Sequence, residues 1–350
     1  DLAGVTAVPA TVTVDVKSRN LSTVVTTTRD IVDPFDDVNS LREAIETANT
    51  KPGLDTITFD LPADDLRHVY YQDDGVAGQV LHANLAFTTT TDDSAILDID
   101  PDWAHSWFSI QPTADLPQIT EVVIVDGYSQ PGASANTNLV ESRLGLNTVL
   151  RIELDGSAIP AGSAAGLVLA DQGSTVRGLV INRFLNSGID IGTNDNVIDG
   201  SFIGTDPSGT VALSNASAGV TIRDFASGNL VGGVTPAARN LISSNGIANV
   251  QLVNFADGNA VQGNIIGTNR RGEVRLRGPV GVLVEDSSNN TIGGTGVGAG
   301  NLISGHTRSQ GTGVEIRTSG AGSNASGNTV QGNLIGTNVA GTARVENYHG

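Results

Sequence analysis

The stretch Gly219-Val-Thr-Ile222, followed by Asn229-Leu-Val-Gly-Gly233 and Asn240-Leu-Ile-Ser243, decides the fold because close copies of it recur along the chain. Copies of its first phrase begin at Gly166, Gly188, Asn249, Gly281 and Gly313. From the second of these onward, successive copies follow one another every 30 to 32 residues. A regular period of this length is typical of solenoids, in which each repeat stacks on the previous one.

Within each copy, apolar residues alternate with other residues, which is the pattern of a strand with one buried face. One apolar column contains Leu167, Ile189, Val220, Val250, Val282 and Val314, and the next contains Leu169, Ile191, Ile222, Leu252, Val284 and Ile316. Such short strands cannot bury this face by local pairing, but stacked units pair each strand in parallel with its counterpart. The sequence therefore predicts an all-β fold, a parallel β-helix (solenoid) with about three strands per coil.

A second recurring phrase, N-x-[IV]-x-G, places an asparagine at the same point of each unit. These residues are Asn196, Asn229, Asn259, Asn290 and Asn328. Amide side chains stacked at one turn can bond to the neighbouring coil, so we expect an asparagine ladder. Phe225 and Phe255 occupy equivalent positions in consecutive units, and we expect their rings to stack.

Residues 39–60 are expected to cover the N-terminal end of the solenoid. Ser40-Leu-Arg-Glu43 has the form of a capping box, which predicts the start of a helix. Pro52-Gly53 predicts the end of that helix. The helix has one apolar stripe, formed by Leu41, Ala44, Ile45 and Ala48. We therefore divide the chain into N-terminal strands with a capping helix (1–60), an acidic insertion without repeats on the early coils (61–118), and β-helix coils (119–350) that we expect to continue in a longer protein.

The phrase Val38-Asn-Ser-Leu-Arg-Glu-Ala-Ile45, with Asp55-Thr-Ile-Thr-Phe59 after it, resembles the CSLREA-type N-terminal segment of bacterial and archaeal surface proteins. Asn39 stands where that segment usually has cysteine. The phrase Asp126-Gly-Tyr-Ser-Gln-Pro-Gly132 and the coil phrases resemble right-handed parallel β-helix repeat proteins that often carry this segment. The resemblance implies a right-handed β-helix in a protein that is extracellular or at the cell surface. It does not imply a particular reaction.

Composition excludes several classes of protein. The net charge of -18 arises from 37 acidic and 19 basic residues, and it repels phosphate backbones, so nucleic acid is not an expected partner. The absence of cysteine excludes disulfides and thiolate metal sites. No apolar run is long enough to form a membrane-spanning helix.

Candidate catalytic carboxylates are far apart in the predicted solenoid. Hydrolysis of a glycosidic bond needs two carboxyl groups at a set distance. Asp190 and Glu315 share an outward row, but four coils separate them, or roughly 19 Å at about 4.8 Å per coil. Asp195 and Asp199 flank a turn, and we interpret His306 as a loop residue. The sequence therefore assigns no catalytic residue.

A polysaccharide lyase is an alternative, since that reaction needs a base and a group that neutralises the uronate carboxylate. The two lysines, Lys17 and Lys51, lie outside the coils, so arginine would have to meet an acidic polysaccharide. The candidates are Arg183, Arg223, Arg239, Arg308 and Arg317, with a cluster at Arg270, Arg271, Arg275 and Arg277. A solvated loop that balances an acidic surface would explain the cluster equally well.

The acidic insertion offers Asp98, Asp100 and Asp102 as candidate Ca²⁺ ligands. Because they alternate, they would share one face of a strand, although their spacing matches no calcium-loop motif. A solvated acidic loop is the other interpretation. Trp103 and Trp107 either form a sugar-stacking platform or pin the insertion to the body. No other cofactor is expected.

The leading hypothesis is an extracellular β-helical scaffold or adhesin that contacts glycans without catalytic activity. The alternative is a polysaccharide lyase or another carbohydrate-active enzyme that acts on an acidic polysaccharide. Three or more charged side chains converging in one groove over adjacent coils would favour the enzyme. For the fold, we expect an interior Ile222, where Ile222→Asp costs several kcal/mol, and an outward Thr221, where Thr221→Asp is nearly silent.

Overall fold

A computed structural model describes residues 21–160, 165–307, 311–320 and 323–350 of the chain. In these residues the chain forms one α-helix, Leu41–Ala48, together with short 3-10 helices and strands that belong to three sheets. The 3-10 helices are His82–Asn84, Asp93–Ala95, Pro101–Trp103, Gly127–Ser129, Val140–Ser142, Gly156–Ala158 and Pro236–Ala238.

The three sheets are long and mostly parallel. In spatial order, sheet 1 contains Val24–Val25, Asp55–Phe59, Val123–Asp126, Thr175–Arg177, Val197–Asp199, Leu230–Gly232, Ala260–Gln262, Thr291–Gly293 and Thr329–Gln331. Sheet 2 contains Leu85–Phe87, His68–Tyr71, Trp107–Ile110, Ile152–Asp155, Val180–Asn182, Phe202–Ile203, Leu241–Ile242, Ile265–Ile266, Leu302–Ile303 and Leu334–Ile335. Sheet 3 contains Leu167–Leu169, Ile189–Ile191, Ala218–Ile222, Ala248–Val253, Val280–Glu285 and Thr312–Arg317.

From Leu167 onward the chain visits sheets 3, 1 and 2 in turn, and we call each such passage a coil. Every strand pairs in parallel with its counterpart one coil later, as in Ile189 with Val220 and Ile191 with Ile222. This connectivity is consistent with a parallel β-helix. It buries the two apolar columns in one continuous core, apart from the final coil, where Ile316 is 40% exposed.

One expectation about the outer side of sheet 3 is wrong. Thr221 is only 4% exposed, although it faces away from the core. Its hydroxyl lies 2.7 Å from the Ser187 hydroxyl and accepts a hydrogen bond from Gln251 Nε2 at 2.9 Å. Thr221→Asp would therefore bury a carboxylate between neighbouring side chains, and it would not be silent.

The expected asparagine ladder is confirmed. In each coil, the side-chain oxygen of the asparagine accepts the backbone N–H of the asparagine one coil earlier, at 2.8 to 2.9 Å. The rings of Phe225 and Phe255 also stack as expected, with centroids 5.2 Å apart. Two further ladders follow the other bends. The second ladder contains Ser201, Asn240, Asn264, Asn301 and Asn333. The third ladder contains Asn215, Asn245, Asn249, His306 and Asn347.

The N-terminal helix forms as the sequence predicts. Ser40 accepts the Glu43 N–H, and the Glu43 carboxylate accepts the Ser40 N–H in return, which completes the capping box. The apolar stripe of the helix joins the same core as the sheets. Of the strands expected before the helix, Val24–Val25 is present, and residues 1–20 lie outside the described part of the chain.

The acidic segment 61–118 is partly built into the coils. His68–Tyr71 pairs antiparallel with both of its neighbours in sheet 2. Trp107–Ile110 then pairs in parallel with Ile152–Asp155. The parallel strand pairing that is typical of the coils is therefore already present within this segment, before residue 119.

Residues 130–149 form an arm that crosses several coils outside sheet 2. Ser134 and Val149 exchange two backbone hydrogen bonds of 2.9 Å at its base. The backbone N–H of Leu146 donates to Arg270 O at 2.8 Å, which holds the arm against a later coil. The arm contributes to a second apolar cluster on the outer side of sheet 2, which contains Leu146, Leu150, Val180, Phe202, Leu241, Ile265, Leu302 and Val339.

Candidate functional site

Three charged residues lie side by side at the ends of neighbouring strands of sheet 1. Asp126 is in register with Arg177, and Arg177 is in register with Asp199. Residues in register on parallel strands project from the same face of the sheet. The three side chains therefore form a row across adjacent coils, which we call the Asp–Arg–Asp row.

The first two members of the row are bonded to each other. Arg177 Nη2 donates to Asp126 Oδ2 at 2.6 Å. The other oxygen of Asp126 accepts the Tyr128 N–H at 3.1 Å and so caps the 3-10 helix Gly127–Ser129. The Asp126 carboxylate is thus held in one orientation by two donors.

Asp199 has a different environment. Its carboxyl group makes no hydrogen bond or ion pair with any other residue that the structure describes. Burial raises the pKa of this carboxyl to about 6, while Arg177 opposes the shift and Asp126 adds to it. An unpaired carboxyl with a raised pKa in a concave site is a candidate functional group.

Asp199 and Arg177 line a cavity of about 290 Å³ between the base of the arm and the turn at residues 235–238. The other lining residues are Tyr128, Ala133, Ser134, Ala135, Thr235, Ala237 and Ala238. Most of these side chains are small, so the two charged groups face open space. The volume is close to the lower end of the range for ligand pockets, about 300 Å³.

Tyr128 forms one wall of the cavity and is fixed by two glycines. Its hydroxyl donates to Gly200 O at 2.7 Å, and burial raises its pKa above the usual range. Gly178 and Gly200 both have positive φ, and a Cβ atom at either position would collide with the tyrosine side chain. The ring can enter this site only because both positions lack a side chain.

The candidate calcium ligands do not share a strand face. Asp98 accepts hydrogen bonds from Tyr70 and Gln72, whereas Asp100 is buried and caps the 3-10 helix that contains Asp102. Asp102 accepts two backbone N–H groups from elsewhere in the insertion. Within the described ranges, no three histidine, aspartate or glutamate side chains are grouped closely enough to hold a metal ion. Calcium at this segment stays a prediction.

The two tryptophans pin the insertion to the coils. Trp103 is 2% exposed and Trp107 is 1% exposed, so neither offers a ring face to a sugar. Trp107 Nε1 donates to the buried carboxylate of Glu153 at 2.9 Å. The Arg270 guanidinium lies 4.5 Å from the centre of a Trp103 ring.

Most of the coil arginines are paired with acids. Arg183 bonds to Asp155 at 2.6 Å, and Arg223 bonds to Asp190 at 2.8 Å. Arg317 bonds to Glu285 and Glu315. Asp190 and Glu315, which the sequence places too far apart for a catalytic pair, belong to two separate ion pairs.

The structure also places part of the arginine cluster and His306. Arg270 packs on a tryptophan while Arg275 lies 3.8 Å from Glu346, so the arginine cluster is divided between two environments. Arg308 lies outside the described residues. His306 lies between strands, as expected of a loop residue, but it is fully buried within the third ladder.

Sequence reasoning missed Asp126 and Arg177 as neighbours of Asp199 in the row. A local signal exists, since an apolar residue followed by Asp-Gly ends strands at Val125-Asp126-Gly127, Leu154-Asp155-Gly156 and Ile198-Asp199-Gly200. The repeat alignment begins at Gly166, so it could not bring the first of these phrases into register with the last.

No known protein-family model matches the chain, and no curated protein matches it. Within the part of the chain that the structure describes, no helix has the length and apolar character needed to cross a membrane. A functional assignment therefore depends on the geometry of the Asp–Arg–Asp row and its cavity.

Proposed function

We propose that the cavity beside the Asp–Arg–Asp row binds a polysaccharide and hydrolyses its glycosidic bond. We also propose that the chain is a right-handed parallel β-helix from an extracellular or surface protein of the CSLREA type. The observation that carries the enzymatic proposal is the unpaired Asp199 carboxyl, whose pKa of about 6 differs from that of an ordinary surface aspartate. The row places three charged side chains over adjacent coils, and two of them, Arg177 and Asp199, line the cavity.

In this proposal the two aspartates have different roles. Asp199 in its protonated form would donate a proton to the leaving oxygen of the glycosidic bond. Asp126, oriented by Arg177 and the Tyr128 N–H, would accept a proton from the attacking water. Protonation of the leaving group and deprotonation of water are the two proton transfers that inverting hydrolysis requires.

The spacing of the row supports the inverting reaction. Two strand spacings of about 4.8 Å place the backbones of Asp126 and Asp199 roughly 10 Å apart. Inverting glycosidases hold their carboxyl groups about 6.5–9.5 Å apart, which leaves room for water, while retaining enzymes use about 5–5.5 Å. Because the strand of Arg177 separates the two aspartates, their backbones are farther apart than the retaining spacing, and we propose the inverting reaction for this row.

The non-catalytic scaffold is the second candidate, and one observation favours it. The ion pair of Asp126 with Arg177 has a structural counterpart in sheet 2, where Asp155 pairs with Arg183. Both aspartates also cap a 3-10 helix that begins with glycine. An ion pair that recurs at two strand ends is typical of a structural role. In this second candidate the row stabilises the strand ends, and the protein binds a glycan without cleaving it.

Release of reducing ends from neutral and acidic polysaccharides, with and without Ca²⁺, separates these candidates. We expect Asp199→Asn to lower kcat by about 10² or more, since general acid catalysis contributes about 10²–10⁴. Asp195→Asn is the matched control, because Asp195 is exposed and its left-handed backbone suits asparagine. Cleavage that survives Asp199→Asn would refute the proposed site. Binding without any cleavage would establish the scaffold instead.

A further inference from the structure

Arg239 interrupts a column of glycines. The residue just before each member of the second ladder is glycine in the neighbouring coils, at Gly200, Gly263, Gly300 and Gly332. In the coil between the first two of these, that position is Arg239. A long cationic side chain therefore leaves the solenoid at a bend where the adjacent coils carry no side chain.

The guanidinium of Arg239 is buried and has too few partners. The residue is 3% exposed, and its Nε donates to Gly263 O at 2.9 Å. Its Nη1 is buried without a hydrogen-bond partner, and none of the described acids forms an ion pair with it. Burial lowers the pKa of Arg239. The Glu141 carboxylate opposes this shift but forms no ion pair with Arg239, so a ligand that supplied negative charge at the guanidinium would bind here favourably.

Arg239 lines a cavity of about 350 Å³ between the arm and two later coils. Glu141 and Arg143 line it from the arm, and the opposite wall includes the glycine-rich turn Gly294–Gly298. Glu141 is the acidic residue among the described lining residues, and it is farther from Arg239 than an ion pair would be. The cavity thus presents two arginines and one glutamate opposite a wall with little side-chain bulk.

We propose that this cavity binds an anionic group, the carboxylate or sulfate of an acidic glycan. Both groups accept hydrogen bonds from a guanidinium in a bidentate arrangement. The turn that includes Thr235 and Ala238 lines the cavity of Asp199, and Arg239 follows that turn directly. The inference therefore names the substrate class of the proposed hydrolase, and it rests on the proposed function only for the link to cleavage.

Binding of three probes, measured by calorimetry on the full chain, tests the site. The probes are galacturonate, inorganic sulfate and neutral galactose, of which the first two distinguish a carboxylated from a sulfated ligand. We expect Arg239→Gln to weaken binding of the preferred anion by about tenfold or more, equivalent to about 1.4 kcal/mol. Arg344→Gln removes the same charge from a side chain that is 79% exposed, and it should change nothing.

A second pair of variants tests the charge of the pocket without altering Arg239. Gly296 lines the cavity, has no positive φ, and has open space where a Cβ atom would be added. Gly296→Asp would place a carboxylate beside the anion site, while Gly296→Asn adds the same bulk without charge. We expect the aspartate variant to lose anion binding and the asparagine variant to retain it.

The outcomes separate this proposal from the proposed hydrolase. Equal anion affinity in wild type, Arg239→Gln and Gly296→Asp would overturn the anion site, as would wild-type protein that binds neither anion. Anion binding that depends on Arg239, in a protein that cleaves no polysaccharide, would support the site and refute only the hydrolase.

Discussion

His306 makes the stability of the fold sensitive to acid. Its imidazole is fully buried between Asn249 and Asn347, with ring nitrogens 2.9 Å from each amide. Burial lowers the pKa of His306 to about 4, and hydrogen bonding to Asn347 opposes this shift. In the unfolded chain the pKa of histidine is about 6.5. The unfolded state therefore binds the proton first as the pH falls.

The expected magnitude follows from these two pKa values. The His306 contribution is fully present above pH 6.5 and is lost as the pH falls through about 4. At about 1.4 kcal/mol per pH unit, the loss across this window is roughly 3 kcal/mol. Glutamine has an amide of comparable reach that does not titrate, so His306→Gln should remove this pH dependence even if it lowers stability at every pH.

Urea unfolding of wild type and His306→Gln between pH 4 and pH 8 measures the effect. The difference in unfolding free energy between the two proteins should change by roughly 3 kcal/mol across the window and be constant above it. Other titrating groups, such as Asp199, contribute equally to both proteins and cancel in the difference. Parallel curves throughout this pH range would refute a buried neutral His306.

In the core, Ile222→Asp should lower the unfolding free energy by about 4 kcal/mol or more, against about 1 kcal/mol for Ile222→Val, and equal costs in urea would contradict the interior position. In the ladder, Asn259→Ala leaves two donors of Asn229 without their acceptor and should cost about 2–6 kcal/mol, at about 1–3 per group. Asn328→Ala, at the half-buried end of the same ladder, should cost less than half as much, and a larger cost there would contradict the ladder's role. The rate of polysaccharide cleavage should fall by about tenfold per pH unit above pH 6, because Asp199 loses its proton there. A pH-independent rate would exclude Asp199 as the acid.

The parts of the fold that depend on repetition could be predicted from the sequence. A period near 31 residues with alternation inside it specifies which side chains face inward, and Ile222 lies in the core for that reason. The capping box at Ser40 and the ladder through Asn259 were also predictable. In each case the interacting residue lies three residues or one repeat away. The spacing along the sequence therefore specifies which two residues are in contact.

The candidate sites could not be predicted in the same way. Asp126 and Arg177 are neighbours in space but 51 residues apart, and the arm between them has no counterpart in the repeat. Thr221 is covered by side chains from coils on both sides, which alternation along its own strand does not reveal. Arg239 differs visibly from the glycine column, but its missing partner depends on how the arm closes over it.

The amino-acid sequence alone thus determined the period of the strands, the two apolar columns that face the core, one asparagine ladder and the capping helix. These features arise from short-range spacing and from the stacking of equivalent residues in successive repeats. Tertiary structure alone decided which charges meet, which cavities the arm encloses and which polar groups lose water. Those properties depend on the three-dimensional paths of the arm and the insertion, and irregular segments carry no period from which such paths could be derived.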